Sequence, residues 1–142
     1  MSLSQEDKER FLSEPRNVIL GTIRKDGSPQ LNPMWFDWNG EVFYISTTRT
    51  RFKYQHILRD PRVTLCIDEF ETLKTLLVEG RATIQEDDIW GITQRIVEKY
   101  VQPDHVEERM ARFQSEPRVL IVVKPDKWVS WDRSEQAWLK ER

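Results

Sequence analysis

Short alternating runs of apolar and polar residues, separated by tight-turn pairs, dominate this chain. Val18-Ile19-Leu20-Gly21-Thr22-Ile23 reads as a strand, and Asp26-Gly27 is a hairpin turn signal. The chain returns over Gln30 to Asp37, where Pro33 makes the strand irregular or an edge. Asn39-Gly40 marks the next turn, and Glu41 to Thr47 form a third strand, so the opening reads as a meander. Tyr54 to Asp60 predict a short helix stopped by Pro61, and Arg62 to Glu69 a fourth strand. Lys74 to Gln85 predict a fifth, with a bulge or bend at Gly80. Ile89, Ile92, Ile96 and Val97 repeat at helical spacing in a segment that starts at Asp87-Asp88 and runs to about Tyr100. A further helix spans Asp104 to Gln114, and Pro117 to Trp131 close the pattern as a strand region interrupted at Lys124-Pro125-Asp126. At the front, Ser4 caps a helix over residues 4–14, with acids at its N-terminal end. The polar tail is 133–142.

Six strand-like segments with few short helices predict a mainly β protein, an antiparallel barrel with peripheral helices. The length of 142 residues suits a single domain over 1–142. Six Trp and six Phe supply enough apolar surface for a packed core.

Charge narrows the chemistry. The formal net charge is -2, which argues against a nucleic-acid binder. No apolar run approaches the roughly 20 residues of a membrane span, and the polar N-terminus has no signal peptide. One cysteine, Cys66, sits in the apolar run Val63 to Ile67 and reads as a small core residue in a reducing, cytoplasmic protein. His56 and His105 are far apart in sequence, which gives no metal-ligand spacing. No glycine-rich dinucleotide fingerprint, P-loop or nucleophile elbow is present.

The basic stretch Thr47-Thr48-Arg49-Thr50-Arg51-Phe52-Lys53 stands out because it lies between a strand end and a helix start. Cations there oppose the helix dipole by roughly 0.3–1 kcal/mol each. A bound anion reverses that sign, since hydroxyls of Thr47, Thr48 and Thr50, free N–H groups and three cations can converge on a phosphate. The alternative is a solvated basic turn. Met34, Trp35, Phe36 and Trp38 offer a flat apolar wall, or else core contacts; strand alternation lets only one of Trp35 and Phe36 face inward.

Three segments in order carry a family likeness. Val18-Ile19-Leu20-Gly21-Thr22, Asp26-Gly27-Ser28-Pro29 and Asn32-Pro33-Met34-Trp35-Phe36 resemble the opening of the flavin-binding split barrels related to pyridoxamine 5'-phosphate oxidase. Ser46-Thr47-Thr48 with Arg51-Phe52-Lys53, then Leu58 to Val63, is similar to the family's phosphate-binding strand–helix–strand segment, and Val78-Glu79-Gly80-Arg81-Ala82 to a later strand. The likeness covers residues 16–131 and looks closest to the branch with deazaflavin (F420)-dependent reductases.

That resemblance implies a six-stranded split β-barrel, a homodimer with cofactor sites at the interface, and hydride transfer from reduced F420 to a small organic acceptor. It places the cofactor phosphate near Thr47, Thr48, Arg51 and Lys53, with Ser46, Arg49 and Thr50 in the same segment, and the ring against Asn32 to Phe36. Trp128 and Trp131 are candidates to close a partner's site or to pack in the core. His56-Ile57 departs from the usual Asn-Leu of the helix, and the substrate residues of true pyridoxamine phosphate oxidases are not recognisable. FMN chemistry on the same phosphate cradle, as an oxidase or flavin reductase, is the alternative; cofactor binding without turnover is another.

Overall fold

Local chemistry sets the first elements. In the computed structural model, which describes residues 1–140, Ser4 caps helix α1 (Gln5–Ser13) by accepting the Asp7 N–H at 3.1 Å. The helix ends at extended Glu14, as Pro15 requires. Strands β1 (Val18–Ile23) and β2 (Pro29–Met34) form a hairpin. Its turn is locked by Asp26, whose Oδ1 accepts the Ser28 N–H at 2.9 Å and hydroxyl at 2.6 Å, with Gly27 at φ +89°.

The chain continues as β3 (Asp37–Trp38), β4 (Phe43–Thr48), α2 (Phe52–Arg59), β5 (Arg62–Glu69) and β6 (Lys74–Gln85). Helices α3 (Trp90–Tyr100) and α4 (Val106–Gln114) precede the long β7 (Arg118–Asp132). The strands form one antiparallel sheet in the order β2-β1-β5-β6-β7-β4-β3, curled into a split barrel.

The strand count is seven, not the six expected, and the opening is not a simple meander. The stretch read as one returning strand breaks at Trp35-Phe36. Pro33 has no N–H for the ladder, and the Phe36 N–H donates to the Tyr100 hydroxyl at 3.2 Å. Asp37 and Trp38 then pair with Tyr44 and Phe43 at the other edge of the sheet. Trp35-Phe36 thus carries the chain from one edge strand to the other.

Alternation sorts the side chains. Leu20, Phe43, Ile45, Leu65, Leu76, Val78 and Ile121 fill the barrel, joined by Phe11 of α1 and Ile57 of α2. On the outer side of β4 and β7, Tyr44, Leu120 and Val122 pack under α3 through Ile89, Ile92 and Ile96. On the outer side of the other strands, Pro33, Ile19, Cys66, Leu77 and Val129 lie in register across the sheet; Pro33 is exposed and the others half-buried. Burial pushes the Cys66 thiol up, with Asp68 adding to it, so the thiol is not activated.

The expected irregularity at Gly80 is a bulge: Glu79 pairs with Lys127 and Gly80 with Pro125, leaving Asp126 as the extra residue. The two halves of the last strand region are therefore one continuous strand.

Candidate functional site

The strand–turn–helix junction is where the sequence placed it. Arg51 is the N-cap of α2, in extended conformation and with no side-chain cap, and the first turn of α2 holds no acid. Within β4, Phe43, Ile45 and Thr47 point into the barrel, while Ser46 and Thr48 face the opposite side. The Thr48 and Thr50 hydroxyls are hydrogen-bonded at 2.7 Å. Arg49 turns toward Glu86, with Nε 3.4 Å from Oε1.

Ser46 and Arg51 meet Pro33, Met34 and Trp35 around a cavity of about 250 Å3, which Ile96, Arg109, Arg112, Phe113, Glu116 and Arg118 complete. Phosphate-cradle and ring-wall candidates thus share one cavity. Asn32, Phe36, Thr47, Thr48, Arg49, Thr50 and Lys53 do not line it. Asn32 accepts the Gln30 amide at 2.9 Å. Phe36 is fully buried, packed on Phe43 at 5.7 Å, so Trp35 is the member of that pair left to the outer side. Trp35 stacks on Tyr100, rings 4.9 Å apart and 5° from parallel. Trp128 packs edge-on against Trp38 at 5.5 Å, and Trp131 is exposed opposite Thr75.

Three arginines of this cavity were not singled out from the sequence. Arg109 and Arg112 are three apart on α4, a spacing that puts both on one helical face. Arg118 opens β7 opposite Thr48. Its guanidinium donates to Ser46 Oγ at 3.3 Å and Glu116 Oε1 at 3.2 Å, and lies 3.7 Å from the Phe113 ring centroid. Helical spacing was the only advance signal; the β4–β7 pairing that brings Arg118 to Ser46 is not written locally in the sequence.

Charge here is unbalanced. Four arginines share the cavity with one carboxylate, Glu116, which Arg118 already engages. Among the described residues, Arg51 and Lys53 form no ion pair. Burial pulls the Arg118 guanidinium down, opposed by Glu116 and reinforced by Arg51 and Arg109. Arg118 Nε is buried without a hydrogen-bond partner. Lys53 is 7% exposed on α2, and burial, then Arg51, lowers its ammonium. Such cations are costly out of water unless an anion meets them. A phosphate-bearing ligand with a flat ring fits this donor set, the phosphate on the arginines and the ring toward Trp35 and Met34.

His56 is buried, its Nδ1 2.9 Å from the Thr22 hydroxyl. Burial first, then Arg59, Arg24 and Lys53, keeps it below its ordinary value, a structural neutral histidine. Among the described residues no group of three His, Cys, Asp or Glu is placed to hold a metal, and no helix is long and apolar enough to cross a membrane.

The sequence signature described as pyridoxamine 5'-phosphate oxidase matches residues 4–132. The chain belongs to this family. Among solved structures it is similar to an F420 reductase, with 31% identity over 85% of this chain and 94% of that one and a TM-score of 0.69. A conserved hypothetical protein from Mycobacterium tuberculosis shares the fold at 24% identity, covering 99% of this chain and 90% of that one, TM-score 0.78. An FAD-binding protein from Mesorhizobium loti shares it at 21% identity, covering 92% and 95%, TM-score 0.65. Among proteins of curated function none matches the chain. The split barrel expected from the motifs is therefore the family's fold, and its relatives include flavin and deazaflavin proteins.

Proposed function

We propose that the arginine-lined cavity holds the phosphate of a flavin-type cofactor, and that the protein is a reductase passing hydride from reduced F420 to a small organic acceptor. The observation that carries this reading is the excess of cations that line the cavity, Arg51, Arg109 and Arg112 with Arg118, beside the Trp35 wall. The likeness to an F420 reductase supports the choice of deazaflavin. When bound, the deazaflavin supplies a hydride carrier that reacts poorly with oxygen.

The chain's own residues bind and orient. Arg51 and Arg118 hold the phosphate, with Ser46 as a neutral donor. Arg109 and Arg112 extend the positive surface toward an acidic tail. Trp35 is braced by Tyr100 and presents a rigid apolar face, which fixes a ring and excludes water. In this reading the proton for the acceptor comes from solvent.

The site is completed by a second copy of the chain. The outer row Pro33, Ile19, Cys66, Leu77 and Val129, continued by Leu31 at 64% exposure and by Trp131, is an apolar sheet face suited to self-association beside the cofactor strand. Micromolar, saturable binding of F420 by the purified protein, followed by acceptor-dependent oxidation of the reduced form, tests the proposal. FMN in the same cradle is the second reading, supported by the FAD-binding relative; a yellow protein with a noncovalent flavin spectrum favours it. Tight cofactor binding with no acceptor-dependent oxidation points to a carrier or sensor.

A further inference from the structure

A larger cavity, about 780 Å3, lies between α1 and the β3 turn. The two cavities flank the chain crossing: Trp35 lines the arginine cavity and Asp37 the larger one. Its wall is aromatic, with Trp38 and Trp128 in edge contact at 5.5 Å and Leu12 beside them. Lys99 of α3 reaches into it. The Lys99 ammonium donates to the Phe36 carbonyl at 3.0 Å and lies 3.8 Å from the Phe36 ring centroid.

An ammonium has three donors, and this contact uses one. Among the described residues Lys99 has no ion-pair partner. The nearby Asp37 carboxylate lies 3.2 Å from Arg95, and Glu9 accepts the Gln5 amide at 3.4 Å. A half-buried cation with unused donors beside an apolar aromatic wall is complementary to a flat anion: the rings supply area and the ammonium supplies direction. The volume is in the range of small-molecule sites.

We propose that this cavity is a second ligand site that takes a planar aromatic carboxylate, its carboxylate on Lys99 and its ring against Trp38, Trp128 and Leu12. The site shares no residue with the arginine cavity, so it does not depend on the cofactor assignment.

Burial brings the Lys99 ammonium down to about 8, with Asp37 opposing the shift. The other charged or titratable groups around it are Lys8 and Glu9 from α1, and Arg95 and Tyr100 from α3; burial raises the Tyr100 phenol. Binding needs both the charged amine and the ionised carboxylate, so affinity is flat between about pH 5.5 and 8 and falls about tenfold per pH unit above that window.

The probes are 2-naphthoate and its neutral counterpart naphthalene-2-methanol, titrated by calorimetry and by amide and indole chemical shifts on the full chain. The proposal expects saturable naphthoate binding at pH 7, at least tenfold tighter than the alcohol and at least tenfold weaker in Lys99→Met. Shifts should cluster on α1, residues 37–40 and the Trp128 indole, and Arg51→Ala should leave them unchanged. Equal binding of acid and alcohol overturns it, as does absence of saturation. Shifts centred on Arg109 and Arg112 overturn it too, because they assign the anion to the arginine cavity. Should Lys99→Met fail to fold, the acid–alcohol comparison and shift map on the unsubstituted protein decide alone.

Discussion

Arg118 reaches across the β4–β7 ladder to donate to Ser46 Oγ at 3.3 Å, although the two residues are 72 positions apart. This contact ties the strand that carries the basic turn to the strand that begins just after α4. It gives the proposed phosphate site a cation fixed by Phe113 and Glu116 rather than one floating on a surface chain.

Replacing Arg118 with Met should therefore weaken cofactor binding by about 1.5–3 kcal/mol, the worth of a charge-assisted hydrogen bond. Lys at this position should recover little, since it lacks the planar fork that engages Ser46 and Glu116 together. Equilibrium titration of the two variants checks this; full affinity in Arg118→Met would remove Arg118 from the site.

Glu69 predicts an acid limb of stability. Hydrogen bonds from Arg10, then Thr72 and Arg16, hold its carboxyl at about 2 against an ordinary 4.5, while burial opposes them. A depressed carboxyl contributes stability that is fully present above pH 4.5 and is lost as pH falls toward 2. Glu69→Gln should flatten the dependence of Tm on pH across that window. An unchanged slope would show that other carboxylates set acid unfolding.

Gly80 is held to glycine by space. A Cβ there would sit 2.4 Å from the Lys124 carbonyl oxygen, backbone that cannot swing away. Gly80→Ala should destabilise by about 1–3 kcal/mol in urea unfolding, the usual range for overpacking. A neutral result would mean that the bulge at Asp126 re-forms around the methyl group.

The bulge was legible in advance, and so were the hairpin turns, because glycine and Asx chemistry acts over two or three residues. The junction of basic turn and α2 was legible for the same reason. The seventh strand was not: the returning strand read over Gln30 to Asp37 runs on past Phe36 by pattern, and only the Phe36 N–H bond to Tyr100, 64 residues away, marks where the chain turns to the other edge. The candidate site divided likewise. Arg51, Ser46 and Trp35 stood within recognisable segments. Arg109, Arg112 and Arg118 looked like ordinary surface charges until pairing of β7 with β4 gathered them. Phe36, read with the ring wall, belongs to the core.

The proposed dimer gives a separate expectation. Leu31 is 64% exposed on the outer face of the β2 edge strand. Leu31→Glu should shift the protein from dimer to monomer in sedimentation velocity, with its circular dichroism spectrum unchanged. A monomeric unsubstituted protein would contradict the shared-site arrangement.

The most direct test of the phosphate-site account is a parallel titration of the protein and its Arg51→Ala/Lys53→Ala variant with F420 and FMN, followed by Trp fluorescence and cofactor absorbance. The account predicts saturable micromolar binding of F420, preferred over FMN, and at least a tenfold loss in the variant. No saturation with F420, or equal affinity in the variant, would contradict it.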